Sequence, residues 1–393
     1  MHDGTARDVF GAFLKLGCIS FGGPIAHLGY FRRELVERRR WLDDQAYGEL
    51  VGLCQFLPGP ASSQVGFALG LMRAGPLGGF AAWAGFTLPS ALMMFGFALV
   101  ATELSGAVAE AAIHGLKIAA VAVVAQALVG MARSLTPDPR RMAMAAGAAA
   151  AMLVIAVPAA QIALIVLGAL IGIVVCPSGE ARPQESLGWT PSRRAGIICL
   201  TLFAALLVLL PLAATEGSSL ALADILYRAG ALVFGGGHVV LPLLRAGLVP
   251  GWMNDGGFLA GYGAAQAVPG PLFALSAYLG AIGMPKAAPL GAVIALTMIF
   301  LPGLLLIAGM LPFRAVLGRS SRARAAIAGV NATVVGILAA ALYDPLWTSG
   351  IDSLADALIA LAGFALFVGL RVPPLAIVFG SVGAAVAVAM WQA

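Results

Sequence analysis

The chain has 393 residues, of which 61% are hydrophobic and 10% charged, with a mean hydropathy of +0.96 and a formal net charge of +5. Soluble domains carry about 25% charged and about 45–50% apolar residues, so a cytosolic enzyme, a nucleic-acid reader and a disordered chain are excluded. The apolar stretches run about 17–25 residues and are not ten-residue alternations, so the expectation is an all-α polytopic membrane protein and not an outer-membrane barrel.

There are 23 basic residues against 18 acidic ones, and of the basic residues only Lys15, Lys117 and Lys286 are lysines. In a membrane protein the basic excess reports loop orientation and does not mark an acidic or nucleic-acid partner. Cys18, Cys54, Cys176 and Cys199 show no CxxC or Cys/His spacing and read as small apolar packers, so no metal or other cofactor is expected. The polar start, Met1 to Arg7, has no cleavable leader pattern.

Taken in chain order, nine stretches read as full spans: 77–100, 114–133, 141–157, 160–176, 195–213, 288–311, 326–343, 354–370 and 373–391. Four others are apolar but broken. These are 10–31 at Phe21-Gly22-Gly23-Pro24, and 46–72 at Gln55-Phe56-Leu57-Pro58-Gly59-Pro60. The other two are 225–245 at Phe234-Gly235-Gly236-Gly237-His238, and 256–283 at Gln266-Ala267-Val268-Pro269-Gly270-Pro271. Proline lacks the N–H that would continue a helix, and glycine weakens the turn. Non-helical backbone at membrane depth has to be buried in protein or line a wet cavity.

The breaks come in pairs. Phe21-Gly22-Gly23 matches Phe234-Gly235-Gly236, Trp41 matches Trp252, and Gln55-x-x-Pro58-Gly59-Pro60 matches Gln266-x-x-Pro269-Gly270-Pro271. Leu88-Pro89 matches Leu301-Pro302, Gly115 matches Gly329, and Pro158 matches Pro373. The offset stays between 211 and 215, which is an internal duplication. It divides the chain into a first repeat, 8–176, a cytoplasmic loop with a linking membrane helix, 177–220, and a second repeat, 221–391.

Matching loops carry opposite charge bias. Arg32, Arg33, Arg38, Arg39 and Arg40 face a counterpart, 246–255, with no basic residue, whereas the acidic loop holding Glu103 and Glu110 faces Arg314, Arg319, Arg322 and Arg324. The positive-inside rule then gives the repeats opposite topologies, the plan of secondary transporters with broken or re-entrant helices at the core. With the broken segments as hairpins, Arg228, Arg245 and Lys286 fall outside and Lys15 and Lys117 lie within segments, so 18 of the 23 basic residues are inside. This places the N-terminus in the cytoplasm and the C-terminus on the far side.

Half-helix N-termini expose free N–H groups and carry partial positive charge, and glycine allows close approach, so the breaks make an anion site. Candidate substrate-binding residues are Gly22, Gly23, Pro24, Pro58, Gly59, Pro60, Gly235, Gly236, Gly237, Pro269, Gly270 and Pro271 at the breaks. Gln55, Gln64 and Gln266 can donate amide N–H bonds. His27 and His238 can change charge near neutral pH, although they are not at equivalent repeat positions. Lys117, with Asn331 as its repeat counterpart, is a full charge within a span and is expected to help neutralise a dianion. Snorkelling to the headgroups is the alternative for Lys117. There is no P-loop, GxSxG or HExxH, so neither an ATPase nor a hydrolase is expected.

The run Phe21-Gly22-Gly23-Pro24 with His27, Trp41 and Gln55-x-x-Pro58-Gly59-Pro60-x-x-x-Gln64 resembles the chromate ion transporter family in its long two-domain form. So does Phe234-Gly235-Gly236-Gly237-His238 with Pro242, Gln266 and Pro269-Gly270-Pro271. The resemblance covers about residues 8–391. It implies a secondary transporter of the bacterial inner membrane that exports chromate and confers chromate resistance. Sulfate is the natural competitor, and the lipid bilayer and a homodimeric assembly are the other partners considered. Position 237 is Gly where the first repeat has Pro24. A carrier of another small solute and a membrane-embedded enzyme are the competing readings; no catalytic Ser/His or Asp pair supports the latter.

Overall fold

The computed structural model describes residues 4–101, 106–155, 158–176, 190–234, 237–314, 320–370 and 372–392. Among them there is no strand, and the chain is an all-α polytopic membrane protein. The first half contains α1 (Ala6–Ile19), α2 (Gly23–Phe31), α3 (Asp44–Phe56), α4 (Ala61–Ala101), α5 (Ala107–Leu135), α6 (Pro139–Val154) and α7 (Pro158–Val175). After α8 (Arg193–Ala213) the pattern recurs as α9 (Ser219–Ala231), α10 (Val240–Leu248), α11 (Asp255–Ala265) and α12 (Leu275–Gly283). It continues with α13 (Ala288–Met310), α14 (Ser321–Ala341), α15 (Leu354–Gly369) and α16 (Pro374–Gln392).

The long helix α4 is two helices in series. Ala74 and Gly75 leave helical backbone, Gly75 has φ +65°, and Pro76 starts the second part. With that division every element of the first half has a counterpart in the second, and α8 alone stands outside the repeat. All four expected breaks occur where the Gly and Pro clusters sit: between α1 and α2, α3 and α4, α9 and α10, and α11 and α12. Gly235 and Gly236 lie outside the described residues.

Among the described residues, six helices are long and apolar enough to cross a membrane. The expected spans 141–157, 160–176 and 354–370 appear as shorter helices, α6, α7 and α15. At 16 residues, α6 and α15 reach about 24 Å, short of a hydrocarbon layer of about 30 Å. Helix α8 is apolar on nearly all sides, and Leu212 is 78% exposed. An all-round apolar helix with so little protein contact faces lipid.

The repeats interlock. Helix α1 packs on α4, and α9 packs on α13. Helix α5 of the first half packs on α15 and α16 of the second, while α14 of the second packs on α6 and α7 of the first. Glycine makes both crossings possible. A Cβ on Gly115 would lie 2.5 Å from Val382 Cα, and a Cβ on the matching Gly329 would overlap the Gly168 carbonyl and Gly172. Close backbone approach at small residues is the usual means of helix association in lipid.

Candidate substrate site at the helix breaks

The four breaks meet. The Gly59 amide donates to the Val233 carbonyl at 2.7 Å, and the Gly270 amide donates to the Ser20 carbonyl at 2.8 Å. Each Pro-Gly-Pro turn of one repeat is thereby tied to the end of α1 or α9 in the other. A Cβ on Gly237 would lie 3.8 Å from Pro24 Cγ, which joins the remaining two breaks. Gly59 and Gly270 have φ values of +121° and +91°, which residues with a side chain rarely adopt. Both also lack room: a Cβ on Gly59 would stand 3.0 Å from Gly303 Cα, and one on Gly270 2.9 Å from Ser90 Oγ. Ser90 and Gly303 are themselves counterparts, 213 residues apart.

One cavity opens at this meeting point. It is lined by Gly22, Gly23, Pro24, His238, Gln266 and Gly270, with Val268, Leu272, Gln126 and Phe367 among its other walls. Six of the residues expected from the sequence, drawn from both repeats, are therefore brought together. His238 Nδ1 shares a hydrogen bond of 2.6 Å with the Tyr262 hydroxyl, and Gln266 Nε2 reaches the Tyr262 carbonyl at 3.4 Å.

Eight helices begin on a side-chain cap: Thr5, Asp43, Asp138, Ser192, Ser218, Asn254, Ser320 and Ser353. The two helix starts at Gly22 and Pro271, like those of α5 at Gly106 and α13 at Ala287, lack such a cap. At the two breaks the first N–H groups are left for a ligand, and an anion is what a helix N-terminus favours.

Other expected residues have different places. Gln64 is fully buried, and its Nε2 donates to the carbonyls of Pro58 at 2.9 Å and Gly303 at 3.1 Å. Its amide donor thus holds the Pro58-Gly59-Pro60 turn against α13. His27 is buried; its Nδ1 lies 3.3 Å from Ser62 Oγ and its ring meets Phe86 edge-on at 5.3 Å. Gln55 is exposed and lies outside the cavity lining, as does Asn331 on α14. Lys117 is not brought to the breaks. A Cβ on Gly256 would lie 3.3 Å from its Nζ, which places the ammonium at the start of α11. Gln266 is at the opposite end of that helix, about 15 Å away. The backbone at Leu116 lies against Gly263 of α11, and from there the Lys117 stem carries the ammonium to Gly256 near the start of that helix, a direction that sequence position does not state.

Two further features are readable in the sequence. Gln126 is the one polar residue between Lys117 and Arg133 in an otherwise apolar run, a pattern that marks an intramembrane functional position. Lys15 on α1 and Arg228 on α9 are also 213 residues apart, so the repeats share a cation there. Lys15 pairs with Glu34 at 2.8 Å, and Arg228 pairs with Asp224. Glu34 also receives Arg38 at 3.1 Å and Arg39 at 2.9 Å. Burial pushes the Glu34 carboxyl up, but the hydrogen bonds from Lys15, Arg39 and Arg38 outweigh it and hold it down at about 2.

Comparison with known proteins agrees with the paired breaks. The chromate transporter family matches this chain in two parts, residues 7–173 and 220–388. A chromate transport protein of Pseudomonas aeruginosa is 30% identical over 346 residues, covering 86% of this chain and 80% of its own length. A probable chromate transport protein of Synechococcus elongatus is 31% identical over 336 residues, covering 84% and 82%. A chromate transport protein of Cupriavidus metallidurans is 27% identical over 369 residues, covering 92% and 88%. No solved structure matches the chain. With both repeats matched over nearly their whole length, the chain belongs to the chromate transporter family.

Proposed function

We propose that this protein exports chromate from the cytoplasm across the bacterial inner membrane and so confers chromate resistance. The observation that carries the reading is a cavity formed by breaks of both repeats, lined by His238 and Gln266 beside the uncapped helix starts at Gly22 and Pro271. These groups offer hydrogen-bond donors and partial positive charge to a tetrahedral oxyanion. A cavity built at the joint between two repeats suits alternating access, in which one repeat rocks against the other. The N-terminus is cytoplasmic and the C-terminus external in this reading. Of the three basic residues on the external side, Arg228 is paired with Asp224 and Arg245 with Asp255.

The direction follows from charge. A negative interior favours outward movement of anions by about 2.3 kcal/mol per charge per 100 mV, twice that for a dianion. No ATP-binding loop is needed. The test is uptake of labelled chromate by inverted vesicles, with and without a pH gradient, beside vesicles lacking the protein. Accumulation above that background supports export; none would remove it. Sulfate is the second reading, because backbone N–H groups, an amide and an imidazole read tetrahedral shape and charge but not the central atom. Competition by sulfate in the same vesicles separates the two.

A further inference from the structure

We infer that α5 carries a one-sided access channel for the anion, with Arg133 at its mouth and Gln126 at its neck, opening to the cytoplasm. The inference deepens the oxyanion reading of the break cavity and rests on it. A second cavity adjoins the first. It is lined by Gln126, Val129, Gly130, Arg133, Phe367 and Pro374, with neighbours on the turn before α16. Gln126, Phe367 and Pro374 line both cavities. The two are therefore one continuous depression running from the helix breaks to the end of α5.

The spacing 126, 129, 130, 133 is one face of a helix. Seven residues of rise put Arg133 about 10 Å from Gln126 along the axis. Both side chains are available. Arg133 is exposed and makes no ion pair or hydrogen bond among the described residues, and Gln126 makes none either. The arginines just beyond differ: Arg141 pairs with Asp138, and Arg140 reaches the Val175 carbonyl. An unpaired guanidinium at a cavity mouth draws anions in and repels cations. The amide of Gln126, between the Phe367 and Pro374 walls, can take the anion over by donating N–H bonds.

The second repeat does not copy this stripe. At the offset of Gly115 and Gly329, the counterparts of Gln126 and Arg133 are Ala340 and Trp347. The polar route therefore belongs to one side of the molecule, the side on which the basic loops lie.

Thiol labelling tests the channel independently of the substrate. In a background with Cys18, Cys54, Cys176 and Cys199 changed to serine, Gln126→Cys is probed with sulfonate-bearing and quaternary-ammonium methanethiosulfonates in inverted and right-side-out vesicles. Val129→Cys serves as a second probe on the same wall should Gln126→Cys insert poorly. The expected result is modification from the cytoplasmic face, faster with the sulfonate. Adding Arg133→Gln should slow the sulfonate about five-fold and leave the ammonium reagent unslowed. No reaction from that face at either probe, or a sulfonate preference indifferent to Arg133→Gln, overturns the channel. Chromate protection reads the substrate separately. Charge-selective labelling that neither chromate nor sulfate slows keeps the channel and counts against the oxyanion. Chromate uptake by the wild-type protein without charge-selective labelling keeps the oxyanion and removes the channel.

Discussion

Gly59 gives its amide hydrogen to the carbonyl of Val233, a residue 174 positions later in the other repeat. The reverse bond, Gly270 to Ser20, completes the pair. These bonds satisfy backbone groups that the breaks would otherwise leave orphaned in a water-poor interior. They also fix the breaks of the two repeats against each other.

Alanine at either position should therefore damage both repeats. Gly59→Ala and Gly270→Ala each impose a left-handed backbone on a residue with a Cβ and push that Cβ against Gly303 or Ser90. A loss of about 2 kcal/mol is expected for each. Thermal unfolding in detergent should show comparable shifts for the two variants, and vesicle uptake of chromate should fall with both.

Gln64→Leu keeps the volume and removes the donor. The Pro58 and Gly303 carbonyls then lose their shared partner. Gly303 keeps its helical partner, so the cost is mainly that of one unsatisfied buried acceptor at Pro58, and destabilisation of about 1–3 kcal/mol is expected. Gln64→Glu should be as harmful, because an ionised carboxylate faces two carbonyl oxygens. A neutral outcome for both in thermal unfolding would show that the turn does not depend on this amide.

Lys117→Gln should retain chromate resistance at matched expression, reduced by less than ten-fold. The ammonium sits at the start of α11, beside Gly256, and not at the breaks. Complete loss of resistance with normal insertion would return Lys117 to the transport route.

Glu34 sets an acid limit on its cluster with Lys15, Arg38 and Arg39. Its carboxyl is held at about 2, below its ordinary value of 4.5, so its contribution is fully present above about pH 4.5 and is lost as pH falls toward about 2. Three partners that are 34–67% exposed limit that contribution to about 1 kcal/mol. Unfolding midpoints of wild type and Glu34→Gln should differ most above about pH 4.5 and converge below it.

Orientation is open to a direct check. Arg38→Cys should resist an impermeant thiol reagent in intact cells, while Asp352→Cys and Trp391→Cys should react. Their wild-type side chains are well exposed, so burial would not explain protection at position 38.

The breaks were legible because Gly and Pro act locally: Pro58-Gly59-Pro60 and Pro269-Gly270-Pro271 interrupt a helix whatever surrounds them. The duplication was legible because those clusters recur at one offset. Side-chain roles were less so. Gln55 and Gln266 occupy equivalent positions, yet only Gln266 lines the cavity, since the walls around it include Gln126 of α5 and Phe367 of α15. No periodicity in the sequence states which distant helix closes a wall. Lys117 illustrates the same limit, because the destination of a flexible stem depends on the neighbour it meets.

The exchange of α5 and α14 across the middle of the protein has an evolutionary consequence. Gly115 is confined by Val382, and Gly329 by Gly168 and Gly172. A change in one repeat is thus tested for fit by the other, and the two copies cannot drift apart at their crossing points without a matching change in the partner. Elsewhere they are free to diverge, and Ala340 and Trp347 opposite Gln126 and Arg133 mark where they have done so. The two copies thus keep the same glycine at their crossings, while their partners there, Val382 and Gly168, and the walls between them differ.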